Sequence, residues 1–273
     1  MKFARGFRMS TEDEILVYDS AEVSYSTGET ESYDTAFFLN VIRRRELELF
    51  KQVLQVKRPK LILDYGCGGG WLSLFFVRWG LDVVGMDISK NMVRTAKLVC
   101  RKGDFIVCDA MRLPFRDGVF DFLIGISILH HLNLENALYE LRRISLVRSV
   151  FLFVEPNSLN PFSAFGRKFF PMEVHTKGEK QFTPEYLKNA LNLADLNVER
   201  CFALFFLAFP VARFLKITRI PSSPSLAKMT YFFENVMEKV PVLRRLNSNI
   251  IAIGRICQKN EANLKVDRKS DQG

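Results

Sequence analysis

The run Leu61-Ile62-Leu63-Asp64-Tyr65-Gly66-Cys67-Gly68-Gly69-Gly70-Trp71 constrains this chain more than any other stretch. Three aliphatic residues in succession read as a strand buried on both faces. Glycines then break the run, Trp71 to Trp79 follows at helical length, and Gly80 sits where a helix C-cap glycine belongs. Strand, glycine turn and helix make the first half of a nucleotide-binding crossover. A Cβ in such a turn would block both positive φ and close approach of a ligand. The spacing narrows the ligand further. A dinucleotide fingerprint needs G-x-G-x-x-G, and counting from Gly66 the last glycine is replaced by Trp71. The pattern present is D-x-G-x-G-x-G, with Asp64 closing the strand. A carboxylate pointing into this loop repels a pyrophosphate and suits a cationic ligand.

The chain repeats the strand-then-acid theme twice more. Leu81 to Asp87 reads as a second buried strand, and Ser89 caps a helix that runs to about Cys100. Asp87 is placed either to accept ribose hydroxyls or to cap that helix. Asp104 to Asp109 reads as a third strand ending in an acid, followed by Ala110-Met111-Arg112-Leu113-Pro114-Phe115. Asp117-Gly118 signals a turn, Phe120 to Ile126 a fourth strand, and Asn133 to Val147 an amphipathic helix. Ser149 to Val154 is the fifth strand, ending at Glu155-Pro156. Thr183-Pro184-Glu185 starts a helix to about Ala194. Leu196 to Phe206 and Asn249 to Cys257 complete seven strands. Strands alternating with helices predict an α/β fold: a doubly wound, mostly parallel seven-stranded sheet with a Rossmann-like arrangement.

Taken together, D-x-G-x-G-x-G, the acids at the second and third strand ends, D-A-x-x-L-P-F and Ser127-Ile128-Leu129-His130-His131-Leu132 resemble the class I S-adenosylmethionine-dependent methyltransferases. The closest resemblance is to methyltransferase domain type 11, the ubiquinone, menaquinone and sterol type. It covers roughly Tyr33 to Glu199 and departs at Gly69, where that family more often has Thr, Ser or Ala. The resemblance implies that Asp64, Gly66, Cys67, Gly68, Gly70, Asp87, Ile88, Asp109, Ala110 and Ser127 hold S-adenosylmethionine, with Asp109 on the adenine amino group. Asp109 also reads as a plain loop acid. The resemblance further implies a seventh strand inserted antiparallel between the fifth and sixth. The N/D-P-P-Y motif of DNA-base amino methyltransferases is missing at the fourth-strand exit.

Methyl transfer from a sulfonium needs alignment and dryness, and a base only when the acceptor must lose a proton. His131, His130 and Glu155 stand at carboxyl ends of strands, where ligands bind in open α/β sheets. His131 is the first candidate as base or acceptor-orienting group, because imidazole titrates near neutrality. The alternative is that one histidine packs under the adenosine and the other caps the next helix. Glu155 either holds an acceptor hydroxyl or shapes the loop before Pro156.

The 273 residues divide into an N-terminal arm or lid (1–34), a methyltransferase domain (35–259) and a frayed tail (260–273). Residues 207–248 form an insertion between the last two strands. The net charge of +9 is uneven: Ser10 to Ile42 holds no Lys or Arg, whereas Cys201 to Lys259 holds nine against Glu234 and Glu238. That basic third is mixed with phenylalanines, which suits a membrane surface, an anionic lipid or an acidic substrate. Aromatic residues at helical spacing equally read as core or as a subunit contact. Five scattered cysteines without a C-x-x-C pair argue against a metal site and for a reducing cytoplasm. The N-terminus lacks the apolar core of a secretory signal. The expectation is a cytoplasmic methyltransferase, with peripheral membrane contact through 201–248, acting on carbon or oxygen of a small or lipid-like molecule. DNA is excluded as a partner and RNA is not favoured. The rival readings are an RNA methyltransferase and a non-catalytic S-adenosylmethionine-binding protein.

Overall fold

A computed structural model describes residues 45–162 and 182–257, apart from 56, 208–210, 212–213, 216–217, 219–222 and 238. The expected arm, the connector around His175 and the expected tail lie outside the described residues. A helix over 45–55 (α1) leads into β1 (Leu61–Tyr65), α2 (Trp71–Arg78), β2 (Asp82–Asp87), α3 (Lys90–Val99) and β3 (Asp104–Val107). Then come β4 (Phe120–Ile126), a 3₁₀ turn (Leu129–His131), α4 (Leu134–Ile144) and β5 (Ser145–Pro156). The chain closes with α5 (Pro184–Leu193), β6 (Leu196–Leu204), α6 (Pro224–Met237), α7 (Pro241–Arg244) and β7 (Asn249–Ile256).

The strands form one sheet in the order β3-β2-β1-β4-β5-β7-β6. The first five run parallel, and β7 lies antiparallel to both β5 and β6. This is the doubly wound, mostly parallel fold that the alternating elements predict. All strand ends that carry the marked acids therefore open on one edge.

Each strand feeds two cores because successive side chains point to opposite faces. Ile62, Phe122, Ile124, Leu152 and Val154 pack under Phe50 and Leu54 of α1 and Phe75 and Phe76 of α2. Leu63, Tyr65, Leu123, Phe151 and Phe153 pack on the other side, under Leu138 and Leu141 of α4 and Leu187 and Leu191 of α5. Burial on both faces is why these strands read as continuous apolar runs.

Several boundaries differ from the sequence reading. The helix expected to reach Val147 stops at Ile144, and β5 begins at Ser145 without a loop. The buried Ser145 hydroxyl donates to the Leu141 carbonyl, while Leu146 and Val147 are exposed and give a longer helix nothing to bury. The third strand ends at Val107 rather than Asp109. The sixth ends at Leu204 because Phe205 takes a φ of 64°, a left-handed turn that interrupts pairing.

Truncating Phe76, fully buried beneath α1, should cost about 3–5 kcal/mol in a Phe76→Ala variant. Leu193→Ala, at a site 88% exposed, should stay within about 0.5 kcal/mol. Urea denaturation of the two variants checks the contrast.

Candidate active site

The turn after β1 is built from glycines at positive φ: Gly66 at 75°, Gly68 at 51° and Gly70 at 80°. Two of them are forced by packing. A Cβ on Gly66 would lie 2.9 Å from the Ile128 side chain, and one on Gly70 would lie 2.7 Å from Ala96. A Cβ on Gly68 would meet nothing within 4 Å, so this residue faces the open space a ligand can use.

Four amides of the turn are already engaged. Gly66 N donates to Met86 Sδ, Cys67 N to the Met86 carbonyl, Gly68 N to Asp87 Oδ2 and Gly70 N to the Cys67 carbonyl. At the start of α2, where dinucleotide-binding folds seat a pyrophosphate, the chain's own Asp64 intervenes. Its Oδ2 accepts a 2.6 Å hydrogen bond from Ser73 Oγ, and the carboxyl also accepts from the Ser73 amide. A phosphate would meet the Asp64 carboxyl here instead of an unopposed helix start. A ligand that brings cationic charge instead relieves the buried carboxylate, so the residues present fit S-adenosylmethionine.

Asp64 is buried, and that burial raises its carboxyl from 3.8 to about 6, against the opposing hydrogen bonds from Ser73. Its charge therefore acts from beneath the turn. The Cys67 side chain also turns away, into a small core with Val93, Ala96, Cys100 and Phe105. Burial pushes its thiol up, so only the Cys67 backbone faces the ligand side.

The next two strand ends supply the remaining acids. Asp87 is half-buried; Oδ2 accepts from Gly68 N at 3.0 Å and Oδ1 from Ser89 N at 2.8 Å. It thus braces the glycine turn and the start of α3, while each oxygen keeps a second lone pair for a hydroxyl. Ser89, not Asp87, is the side-chain cap of α3. Ile88 beside it is 74% exposed, an apolar shelf at the sheet edge. Asp109 is exposed and forms a local turn through Oδ1 to Met111 N, leaving Oδ2 for an outside donor. Ala110 is buried, and its carbonyl accepts from the Tyr65 hydroxyl at 2.7 Å.

At the β4 exit Ser127 has a φ of 54°, and its amide donates to the Val154 carbonyl. This turn drops Ile128 onto Gly66, so the histidine segment packs directly against the glycine loop. Glu155 is completely buried at the end of β5. Its Oε1 accepts from Ile128 N at 3.0 Å and Leu129 N at 2.7 Å, and its Oε2 lies 2.7 Å from His130 Nδ1. Facing an ionised Glu155, a neutral His130 ring would donate from Nδ1 and keep the lone pair on Nε2. His131 is exposed and its ring lies 3.9 Å from that of His130. Glu155 is thus turned inward, away from any acceptor hydroxyl, and positions His130.

Sequence reasoning passed over Tyr65, Asn157 and Asn160. Tyr65 ties β1 to the loop after β3. Asn157 donates to the carbonyls of Arg245 and Asn247, and Asn160 to those of Phe206 and Leu246. They bind the exit of β5 to the insertion that follows β6. An N-x-x-N spacing after Glu155-Pro156 was the available signal, but its partners lie about 45 to 90 residues away. Among the described residues no cluster of His, Cys, Asp and Glu is arranged to hold a metal ion.

Residues 63–153 match the methyltransferase domain family. An 18S rRNA (guanine-N(7))-methyltransferase of Schizosaccharomyces pombe is 35% identical over 113 residues, 41% of this chain and 42% of that protein. A tRNA (carboxymethyluridine(34)-5-O)-methyltransferase of Xenopus tropicalis is 41% identical over 93 residues, 32% of this chain and 14% of that protein. The chain thus spans less than half the length of these curated relatives. Among solved structures, magnesium protoporphyrin IX methyltransferase of Synechocystis PCC 6803 with bound SAH has a TM-score of 0.55. It is 16% identical, covering 89% of this chain and 99% of that one, and shows the shared fold. The expectation against RNA finds no support in these relatives.

Because the Asp64 carboxyl is raised in the folded chain, it favours folding at pH values below its ordinary 3.8 and loses that contribution as pH climbs through about 6. Wild type should therefore gain stability relative to Asp64→Asn as pH falls from 7.5 to 5. Urea unfolding of both proteins at the two pH values measures the difference.

Proposed function

We propose that this chain, whose residues 63–153 are a class I S-adenosylmethionine-dependent methyltransferase domain, methylates a carbon or oxygen of a small or lipid-like molecule that must give up a proton. The observation that carries the reading is the Glu155–His130 pair at the edge shared with the glycine turn. An acceptor with no proton to lose would have no use for an imidazole held in one tautomer by a buried carboxylate.

S-adenosylmethionine supplies a methyl group already activated on a positively charged sulfur. The chain's part is to align and dry the two reactants. Asp87 holds the ribose hydroxyls, Asp109 the adenine amino group, and Gly68 leaves room for the backbone to approach. His130 Nε2 takes the proton of the acceptor as its oxygen or carbon attacks. Glu155 stabilises the resulting imidazolium through Nδ1–H, as the buried acid of a catalytic triad does. Of the two histidines, His130 is the base in this reading, and His131 borders the acceptor's entry.

A second reading is methylation of an RNA nucleoside. It is favoured by the activities of the relatives above and by the net charge of +9. Those relatives match 41% and 32% of this chain, so their likeness does not extend over the whole of it.

Tritiated methyl transfer into fractionated cell extract separates the two: label in the organic-soluble or small-molecule fraction supports the first, label in RNA the second. With the labelled fraction as substrate, His130→Ala should lower kcat by ~10²–10⁴-fold with little change in affinity for S-adenosylhomocysteine. Glu155→Gln should fall similarly, because its amide donor would reverse the His130 tautomer. Retention of full kcat in both variants would rule out the base.

A further inference from the structure

Helix α6 is inside out. Its inward face is Leu226, which packs on the core, with buried Thr230 and Glu234, spaced four residues apart. The carboxylate of Glu234 accepts from Phe206 N at 2.6 Å and Leu207 N at 2.7 Å, pinning the helix to the end of β6. The outward face is Met229, Phe232, Phe233 and Val236, a stripe at helical spacing with exposures of 52, 64, 42 and 41%. A helix of a water-soluble surface carries the opposite pattern, with polar groups outward.

Among the described residues, the exposed charges of α6 and the turn after it are Lys228 and Lys239, whereas the acid, Glu234, is turned inward. Phe214, 58% exposed, belongs to the same insertion. Apolar side chains flanked by lysine and arginine are the arrangement of a helix lying in the headgroup layer of a bilayer. A second copy of the chain is a poorer occupant, because a two-fold contact would set these cations against their own images. RNA is a poorer one too: Phe232 and Phe233 offer rings for stacking, but Met229 and Val236 beside them offer a base neither a ring nor a hydrogen bond. No helix among the described residues is long and apolar enough to cross a membrane.

We propose that the outward face of α6 docks the protein on an anionic lipid surface, with Phe232 and Phe233 inserted among the acyl chains and Lys228 and Lys239 at the headgroups. The attachment stands at the edge of the active site, because β6 opens onto the carboxyl edge and Asn157 and Asn160 tie the insertion to the end of β5. It does not depend on which molecule accepts the methyl group.

Co-sedimentation of the full chain with phosphatidylcholine vesicles, with and without phosphatidylglycerol, tests this. Binding should require phosphatidylglycerol, weaken as salt rises, and fall at least tenfold in a Phe232→Ser, Phe233→Ser double variant. The double charge reversal Lys228→Glu, Lys239→Glu should lower it as well. Affinity for S-adenosylhomocysteine, measured on the same preparations, should be unchanged and certifies that the variants are folded. Failure of wild type to bind the anionic vesicles, or undiminished binding by folded Phe232→Ser, Phe233→Ser, overturns the proposal. So does a wild-type dimer that this double variant converts to monomer, which would make a second copy the occupant.

Discussion

The Asp64 carboxylate, buried at the head of α2 and hydrogen-bonded by Ser73, determines what kind of ligand this fold can accept. Parallel α/β folds concentrate partial positive charge at the start of the helix after the first strand. Here that charge is neutralised internally by a group whose own ionisation is strained by burial. In the glycine turn above it, four amides are already engaged, by Met86, Asp87 and Cys67. What remains is a backbone surface open at Gly68, with negative charge below and at the adjoining strand ends. Such a surface favours a nucleoside that carries positive rather than negative charge.

The reactive edge is assembled by contacts between neighbouring strand ends. Ile128 packs on Gly66, Tyr65 holds Ala110, Asp87 braces Gly68, and Glu155 gathers the turn that bears His130. Each bond joins segments at least 19 residues apart, so the glycine turn and the histidine segment are mechanically one unit. The order β3-β2-β1-β4-β5 makes this possible, because parallel neighbours deliver all these residues to the same edge. The insertion after β6 joins that edge through buried asparagines and Glu234 rather than through apolar packing alone.

The parts of this arrangement that are local in sequence were legible. Strand, glycine spacing and terminal acid lie within ten residues of one another around Asp64, and the hydrophobic alternation needs no distant partner. The seven-stranded topology follows from the same alternation together with family resemblance. The parts that depend on distant partners were not. Glu155 and His130 are 25 residues apart, and nothing local tells a carboxylate that faces a substrate from one that faces a backbone turn. Ser145 ends its helix because β5 finds a parallel partner in β4, a tertiary gain that outweighs helical periodicity. The phenylalanines of α6 read as core by spacing, and only the inward position of Thr230 and Glu234 reveals that they face out.

Calorimetric titration of wild type and Asp87→Ala with S-adenosylhomocysteine asks whether carboxylates at successive strand ends grip a nucleoside that carries no phosphate. Hydrogen bonds to a charged group contribute about 1.5–3 kcal/mol each, so the variant should bind at least ~10-fold more weakly while remaining folded by circular dichroism. Equal affinity in the two proteins, or no heat with wild type, would contradict the account.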